Sequence, residues 1–276
     1  MTDQQTRVPG APSPFPVLPN LRDLGGWVGV ERRPVRHGML FRSTDFRTIV
    51  HDSSAVAEIA ATLGLRTVYD LRSAGETEAM PDPVWADVAE VHLDVLADAQ
   101  TAVPANLATV LTDPAGVAEI NRVLESGGAI STMAGTYRQM ITLDSAKTGY
   151  RRFYEGLLGE DRSPALFHCT TGKDRTGWAS ASFLSLMGVA RDDVFSDYLL
   201  TNDRLVPALA PVFEKFTAAG GDADALRQVL GVRPEYLAAA FDEVDRVHGG
   251  MEAYFAEALG IDSAAQSELR ERFLEA

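Results

Sequence analysis

Between Pro164 and Gly188 the chain passes from a short apolar run, PALFHC, through a polar loop with one glycine, TTGKDR, into an apolar segment, TGWASASFLSLMG, that stops at a glycine. A brief apolar run bounded by turn chemistry reads as a buried strand. The segment after the loop reads as an apolar helix closed by Gly188. A buried strand that feeds a tight loop and then a helix is one unit of an α/β layer structure.

Other strand candidates alternate with helices. NLRDLGG (Asn20–Gly26) looks like a strand start running into a Gly-Gly turn. GMLFRST (Gly38–Thr44) and LRTVYDLRS (Leu65–Ser73) stop on polar or charged residues, and VAEVHLDV (Val88–Val95) alternates apolar with polar. SAVAEIAATL (Ser54–Leu63) has helical spacing and halts before Gly64. Asp144 is placed to cap a helix carrying Tyr150, Phe153, Tyr154, Leu157 and Leu158 on one face. Together these predict an α/β protein with a mostly parallel central sheet flanked by helices. Ala97–Ala134, rich in Ala, Thr, Gly and Asp, reads as an insertion with short helices. In the last third, Leu205, Val206, Leu209, Val212, Phe213 and Phe216 form one helical stripe interrupted by Pro211. Further helical patterns run through Pro234–Val247, Met251–Leu259 and Ser263–Leu274. The expected organisation is a flexible, proline-bearing leader over residues 1–16 and a single domain over 17–276. Within it, about 200–260 forms a helical cap or, in the sharper reading, a mobile lid.

Charge narrows the partners. The 276 residues hold 25 Lys+Arg against 39 Asp+Glu, a formal net charge of -14. Nucleic acid and anionic lipid surfaces both call for a basic footprint, so neither is an expected general ligand. An anionic substrate would need positive charge concentrated locally. No apolar run approaches the roughly 20 residues of a membrane span, so no stable membrane anchor is expected. The first residues, MTDQQTRVPGAPSPFP, have neither a basic nor an apolar signal region. The expected location is the cytoplasm, or outside the cell without a recognisable signal peptide. Oligomeric state is left open.

The chain has one cysteine, Cys169. An intramolecular disulfide is therefore impossible, and a cysteine-built zinc site lacks ligands. Its setting, HCTTGKDRTG (His168–Gly177), gives it a chemistry. Thiolate is the reactive form of cysteine. Backbone N–H groups turned into the loop, the positive end of the helix dipole and the cations Lys173 and Arg175 would all stabilise it. The same N–H ring would cradle a tetrahedral dianion of phosphate size. Arg175 would add a bidentate fork to two of its oxygens. A nucleotide-binding loop of Walker type is excluded, because GKD lacks both the upstream glycine and the Ser/Thr after lysine.

HCTTGKDRTG fits the H-C-x5-R-[ST] signature and resembles the protein tyrosine phosphatase superfamily. Together with NLRDLGG, LFRST, VYDLRS, TYRQM (Thr136–Met140) and DYLLTND (Asp197–Asp203), it is similar to the bacterial tyrosine phosphatases of mycobacterial PtpB type. The resemblance runs from Asn20 to about Leu259. It implies a cysteine-phosphatase-like fold and a phosphatase that requires no metal or cofactor. The implied substrates are phosphorylated protein, on tyrosine and also on serine or threonine, and phosphoinositides. Carried across, Cys169 would attack phosphorus and form a cysteinyl-phosphate, and Arg175 would hold the equatorial oxygens. Thr170, Thr171, Gly172 and Lys173 would line the bound phosphate. Thr176 would hydrogen-bond the sulfur, and His168 would fix the cysteine's surroundings. The general acid has two candidates: Asp174 inside the loop, or an upstream residue such as Asp94 or Asp98. Lys173 either favours substrates with extra negative charge or pairs with Asp23 or Asp70. Arg22, Arg42, Arg72 and Arg138 either ring the pocket or pair with neighbouring aspartates, and Tyr137 could wall the site.

Two other readings use the same loop. A rhodanese-like sulfurtransferase would carry sulfur on the cysteine, but its loop usually lacks the closing arginine and threonine. A non-catalytic phospho-ligand-binding module would need none of the reactive side chains, all of which are present.

Overall fold

The computed structural model describes residues 8–99, 117, 121 and 128–276. Its sheet comprises β1 (Arg22–Asp23), β2 (Leu40–Ser43), β3 (Thr67–Asp70), β4 (Ala89–His92) and β5 (Ala165–His168) in the order β1-β2-β5-β3-β4. β1 is antiparallel to β2, and all other pairs are parallel. The expected α/β architecture is therefore present, with each strand inside the segment its pattern marks.

The helices are α1 (Ser53–Leu63), α2 (Ala74–Ala79), α3 (Gly128–Thr142), α4 (Asp144–Leu158), α5 (Arg175–Leu186) and α6 (Arg191–Leu205). They continue as α7 (Ala210–Ala218), α8 (Ala223–Leu230), α9 (Pro234–His248) and α10 (Ser263–Phe273). A short helical stretch, Met251–Ala253, runs on as a π-turn over Tyr254–Ala258. Local chemistry explains several ends. Asp52 accepts from the Ala55 amide at the start of α1, and Gly64, at φ 62°, ends it. Pro211 sits in the first turn of α7, where its missing N–H costs nothing.

Asp144 does not cap α4. It is the first helical residue, and the position before it, Leu143, provides no side-chain cap. Asp98 reaches in from another segment and accepts from the Asp144 and Ser145 amides at 3.2 and 3.3 Å. A tertiary partner has replaced the local cap. The expected insertion, Ala97–Ala134, lies largely outside the described residues, as do residues 1–7; from Gly128 the chain is in α3.

The sheet is covered on both faces, so the three inner strands β2, β5 and β3 are buried at every position, while the edge strand β4 alternates. Leu166 of β5 and Val68 of β3 pack with Leu18, Leu21, Phe46, Ile59 and Trp85 on one side. Phe167 and Tyr69 point the other way, into a larger core with Phe153, Tyr154, Trp178 and Tyr254. Among the described residues, no helix is long and apolar enough to cross a membrane. β5 lies between β2 and β3, and the register aligns Ser43, His168 and Asp70. Whatever follows His168 therefore emerges at the centre of the sheet's carboxyl edge, where open α/β sheets bind ligands.

Candidate active site

Cys169 follows β5 directly and is 2% exposed. In the loop after it, several carbonyls are bonded while the amides are not. The Thr170 carbonyl accepts from the Asp45 amide at 3.1 Å. The Gly172 carbonyl accepts from Asn20 Nδ2 at 2.9 Å and from the Arg42 guanidinium at 2.8 Å. Among the described residues, the amide N–H groups of Thr170 through Arg175 meet no protein acceptor. A loop whose carbonyls are tied to neighbouring segments and whose N–H groups are left without acceptors has donors free for an anion, beside the N-terminal dipole of α5.

Gly172 makes this possible. Its φ is +63°, and a Cβ there would lie 2.2 Å from the Ser43 carbonyl oxygen and 2.9 Å from the Thr44 amide nitrogen. Both obstacles are backbone and cannot move cheaply. Gly172→Ala is expected to push the loop off the end of β2 and lower kcat/KM on the order of 10²-fold, the usual effect of about 1 Å of misplacement. Steady-state kinetics beside a thermal melt would show whether activity falls further than folding.

Beneath the loop lies a buried cluster of two cations and one anion. Arg22 Nε donates to Asp197 Oδ1 at 3.0 Å, and Arg42 Nη1 donates to Oδ2 at 2.8 Å. All three side chains are at most 1% exposed. Burial and the charge of Arg22 push the Arg42 guanidinium down to about 10, although Asp197 counteracts both. Burial pushes the Asp197 carboxyl up, but the two arginines outweigh it and hold the group below its ordinary value. This is the local positive charge that a chain of net charge -14 requires for an anionic ligand. Of the four arginines at issue, Arg22, Arg42 and Arg72 are in buried ion pairs, and Arg138 is exposed on α3.

Arg175 opens α5 and is gripped by a residue the sequence reading did not single out. Its Nη1 and Nη2 meet the two carboxylate oxygens of Glu76 at 2.5 and 2.8 Å. Glu76 also accepts from the Thr170 hydroxyl, and from the Ser73 amide at 2.9 Å in a capping box that starts α2. Burial alone would raise the Glu76 carboxyl, yet Arg175 and Thr170 hold it well below the ordinary range. Burial likewise disfavours the Arg175 charge, but Glu76, Cys169 and Asp174 more than offset it and keep the guanidinium protonated. Two of five N–H donors are committed to Glu76, leaving the rest of the fork for an anion. The Ser73-x-x-Glu76 spacing is the signal that could have located this residue.

Lys173 is 5% exposed and pairs with neither Asp23 nor Asp70. Its Nζ lies 2.6 Å from Asp174 Oδ2. Asp23 instead binds the Gly25 and Gly38 amides and His37, while Asp70 holds Arg72. The Asp174 side chain caps no amide of α5; it accepts from Tyr137 at 3.0 Å. Asp94 binds the Ala74 and Leu96 amides, and Asp98 binds the start of α4. His168 places Nε2 at 2.9 Å from Asp82 and Nδ1 at 3.3 Å from the Cys169 carbonyl oxygen. The Thr176 hydroxyl is fully buried and has no hydrogen-bond partner among the described residues.

Asp70, Asp82 and His168 have ligand atoms within 4.8 Å of one another. The Arg72 guanidinium already joins them, donating to Asp70 Oδ2 at 2.9 Å and Asp82 Oδ1 at 2.7 Å. It supplies the positive charge that a metal would bring to these carboxylates, so the cluster reads as a clamp behind His168.

This geometry can be set beside known proteins. Residues 13–275 match the model of the tyrosine phosphatase family. Over 270 residues, the chain is 31% identical to a Cupriavidus necator protein whose name assigns it to the tyrosine-protein phosphatases, covering 94% of this chain and 87% of that one. Over 260 residues it is 33% identical to the triple specificity protein phosphatase PtpB of Mycobacterium tuberculosis, covering 86% of this chain and 91% of the relative. On the breadth of these matches, the chain belongs to the tyrosine phosphatase family and is a phosphatase.

Proposed function

We propose that this phosphatase works through a cysteinyl-phosphate formed on Cys169, with Asp174 as general acid. The observation that carries the reading is the loop itself: its N–H groups meet no protein acceptor among the described residues, and Arg175 opens the helix that follows Cys169 at the sheet's carboxyl edge. Cys169 Sγ attacks phosphorus, the S–P bond forms as the P–O bond to the leaving group breaks, and Asp174 gives its proton to the departing oxygen. Water then attacks phosphorus, Asp174 takes one of its protons, and phosphate leaves as the thiolate returns. The amides of Thr170, Thr171, Gly172 and Lys173, with Arg175, bind the phosphoryl oxygens and grip them more tightly as charge spreads in the transition state. Thr176, rotated toward Cys169, donates to the sulfur as it departs, and His168 holds the Cys169 carbonyl in place.

Asp174 is preferred to an upstream acid because Asp94 and Asp98 are spent on backbone amides at the starts of other segments. The substrates follow from the anion cradle and the second cation. We assign phosphotyrosine first, then phosphoserine or phosphothreonine; phosphoinositides fit through the extra charge of Lys173. PtpB of Mycobacterium tuberculosis is named for triple specificity, which supports a broad range.

The test is a panel of p-nitrophenyl phosphate, phenyl phosphate, phosphotyrosine and phosphoserine peptides and a phosphoinositide, with chelator present. General acids contribute about 10²–10⁴-fold. Asp174→Asn should therefore lose on the order of 10²-fold in kcat/KM on phenyl phosphate and far less on p-nitrophenyl phosphate, whose leaving group needs little help. An equal loss on both substrates removes Asp174 from the acid role.

A further inference from the structure

The Asp174 carboxylate is held at both oxygens, and the arrangement is not symmetrical. Lys173 Nζ is 2.8 Å from Oδ1 and 2.6 Å from Oδ2. Tyr137 Oη, from α3, is 3.0 Å from Oδ1 alone. Tyr137 Oη in turn lies 2.6 Å from Tyr198 Oη, from α6. Each phenol has a single proton, and the Tyr198 hydroxyl has no other hydrogen-bond partner among the described residues. Were Tyr137 to donate to Tyr198, the Tyr198 proton would have no acceptor and a carboxylate oxygen would face a bare phenol oxygen. The chain therefore runs one way, Tyr198 to Tyr137 to Asp174, each bond polarising the next. Burial, then the Asp174 charge, hold both phenols well above their ordinary range, so both remain donors.

The loop signature makes room for this chain. A Cβ at Gly177 would lie 3.0 Å from Tyr198 Cε2 and 3.7 Å from Tyr137 Oη. The two rings meet edge to face, with centroids 6.1 Å apart. Any side chain at the position after Thr176 would press on the pair that faces Asp174.

We propose that Tyr137, oriented by Tyr198, is a positioning residue for proton delivery: it occupies Oδ1 of Asp174, so the acid form carries its proton on Oδ2. The proposal rests on Asp174 being the general acid. Oδ1 already accepts the Tyr137 proton, so a proton arriving on Asp174 goes to Oδ2, which among the described residues only Lys173 contacts. Lys173 turns from Oδ2 to the phosphoryl oxygens of the substrate as it does so. Oδ2–H then protonates the leaving oxygen while the P–O bond breaks and the S–P bond forms. The carboxylate left behind is met by the same tyrosine donor, and Oδ2 later takes the proton from water.

The experiment compares kcat/KM on phenyl phosphate and p-nitrophenyl phosphate for wild type, Tyr137→Phe, Tyr198→Phe, Asp174→Asn and Asp174→Asn/Tyr137→Phe. Tyr137→Phe keeps the ring packing and should lose roughly tenfold on phenyl phosphate, but less than about twofold on p-nitrophenyl phosphate. Tyr198→Phe should show the same pattern more weakly. The double variant should be no worse than Asp174→Asn, because both changes act on one proton. An equal Tyr137→Phe loss on both substrates, or additive losses in the double variant, would show a packing role and overturn the proposal. If Tyr137→Phe fails to fold, Tyr198→Phe decides by the same comparison. If Asp174→Asn is itself indifferent to the leaving group, the acid assignment falls and takes this proposal with it. If Asp174→Asn is sensitive and the tyrosine variants are not, only this proposal falls.

Discussion

Cys169→Ser is expected to lower kcat on p-nitrophenyl phosphate by on the order of 10⁴-fold or more, as loss of a covalent nucleophile does elsewhere. Sulfur and oxygen differ little in size, and Cys169 sits in a packed position at the end of β5, so the loop should keep its shape. The loop amides and the Arg175–Glu76 grip do not depend on the thiol. The variant should therefore still bind a phosphotyrosine peptide while failing to turn it over. Equilibrium binding beside stopped assays separates the two properties. Acid-quenched wild type should carry phosphate on the Cys169 peptide, and the serine variant should not. A Cys169→Ser enzyme with substantial turnover would rule out the covalent route. A wild type that binds phosphopeptide but hydrolyses none of the panel would favour a binding module.

The second large effect is on stability. Asp197→Asn leaves Arg22 and Arg42 buried without their counter-ion, and breaking such a cluster costs about 3–5 kcal/mol. For a chain of this size, that is a fall in Tm of roughly 10 °C. Activity should suffer as well, because Arg42 holds the Gly172 carbonyl. The pH dependence has a definite sign. The Asp197 carboxyl is depressed in the folded state, so its contribution is present above the unfolded carboxylate value of about 3.9 and is lost as pH falls through the lower folded value. The Tm gap between wild type and Asp197→Asn should thus be widest at neutral pH and narrow toward pH 3. Asp70 and Glu76 are depressed too, but they titrate alike in both proteins and cancel from the difference. A gap that stays constant with pH would mean that Asp197 acts through packing and not through charge.

Much of this is legible in the residues themselves. The strand–loop–helix run around Cys169 gave itself away because buried strands and helices carry apolar runs, and because Gly64 and Gly188 mark helix ends with positive φ. The loop chemistry was readable because its residues are contiguous. What escaped was built from distant pieces. Glu76 belongs to a six-residue helix with no buried residue, so it has no periodicity to detect. The pairing of Asp197 with Arg22 and Arg42 spans more than 150 residues, and nothing in a single sequence says which aspartate an arginine will meet. Lys173 shows the same limit: Asp23 and Asp70 were reasonable partners by charge, yet the adjacent Asp174 took the ammonium. The sequence-based cap at Asp144 failed because Asp98 reached the same amides from outside the helix.

The capping box of α2 has a wider meaning. One carboxylate, Glu76, starts a six-residue helix and also holds the Arg175 guanidinium. A helix that short is not stable alone and persists through its caps and tertiary contacts. The placement of Arg175 is thereby tied to the caps of one short helix as well as to the sheet. The placement of Arg175 therefore depends on one serine and one glutamate that lie well upstream of Cys169 in the chain.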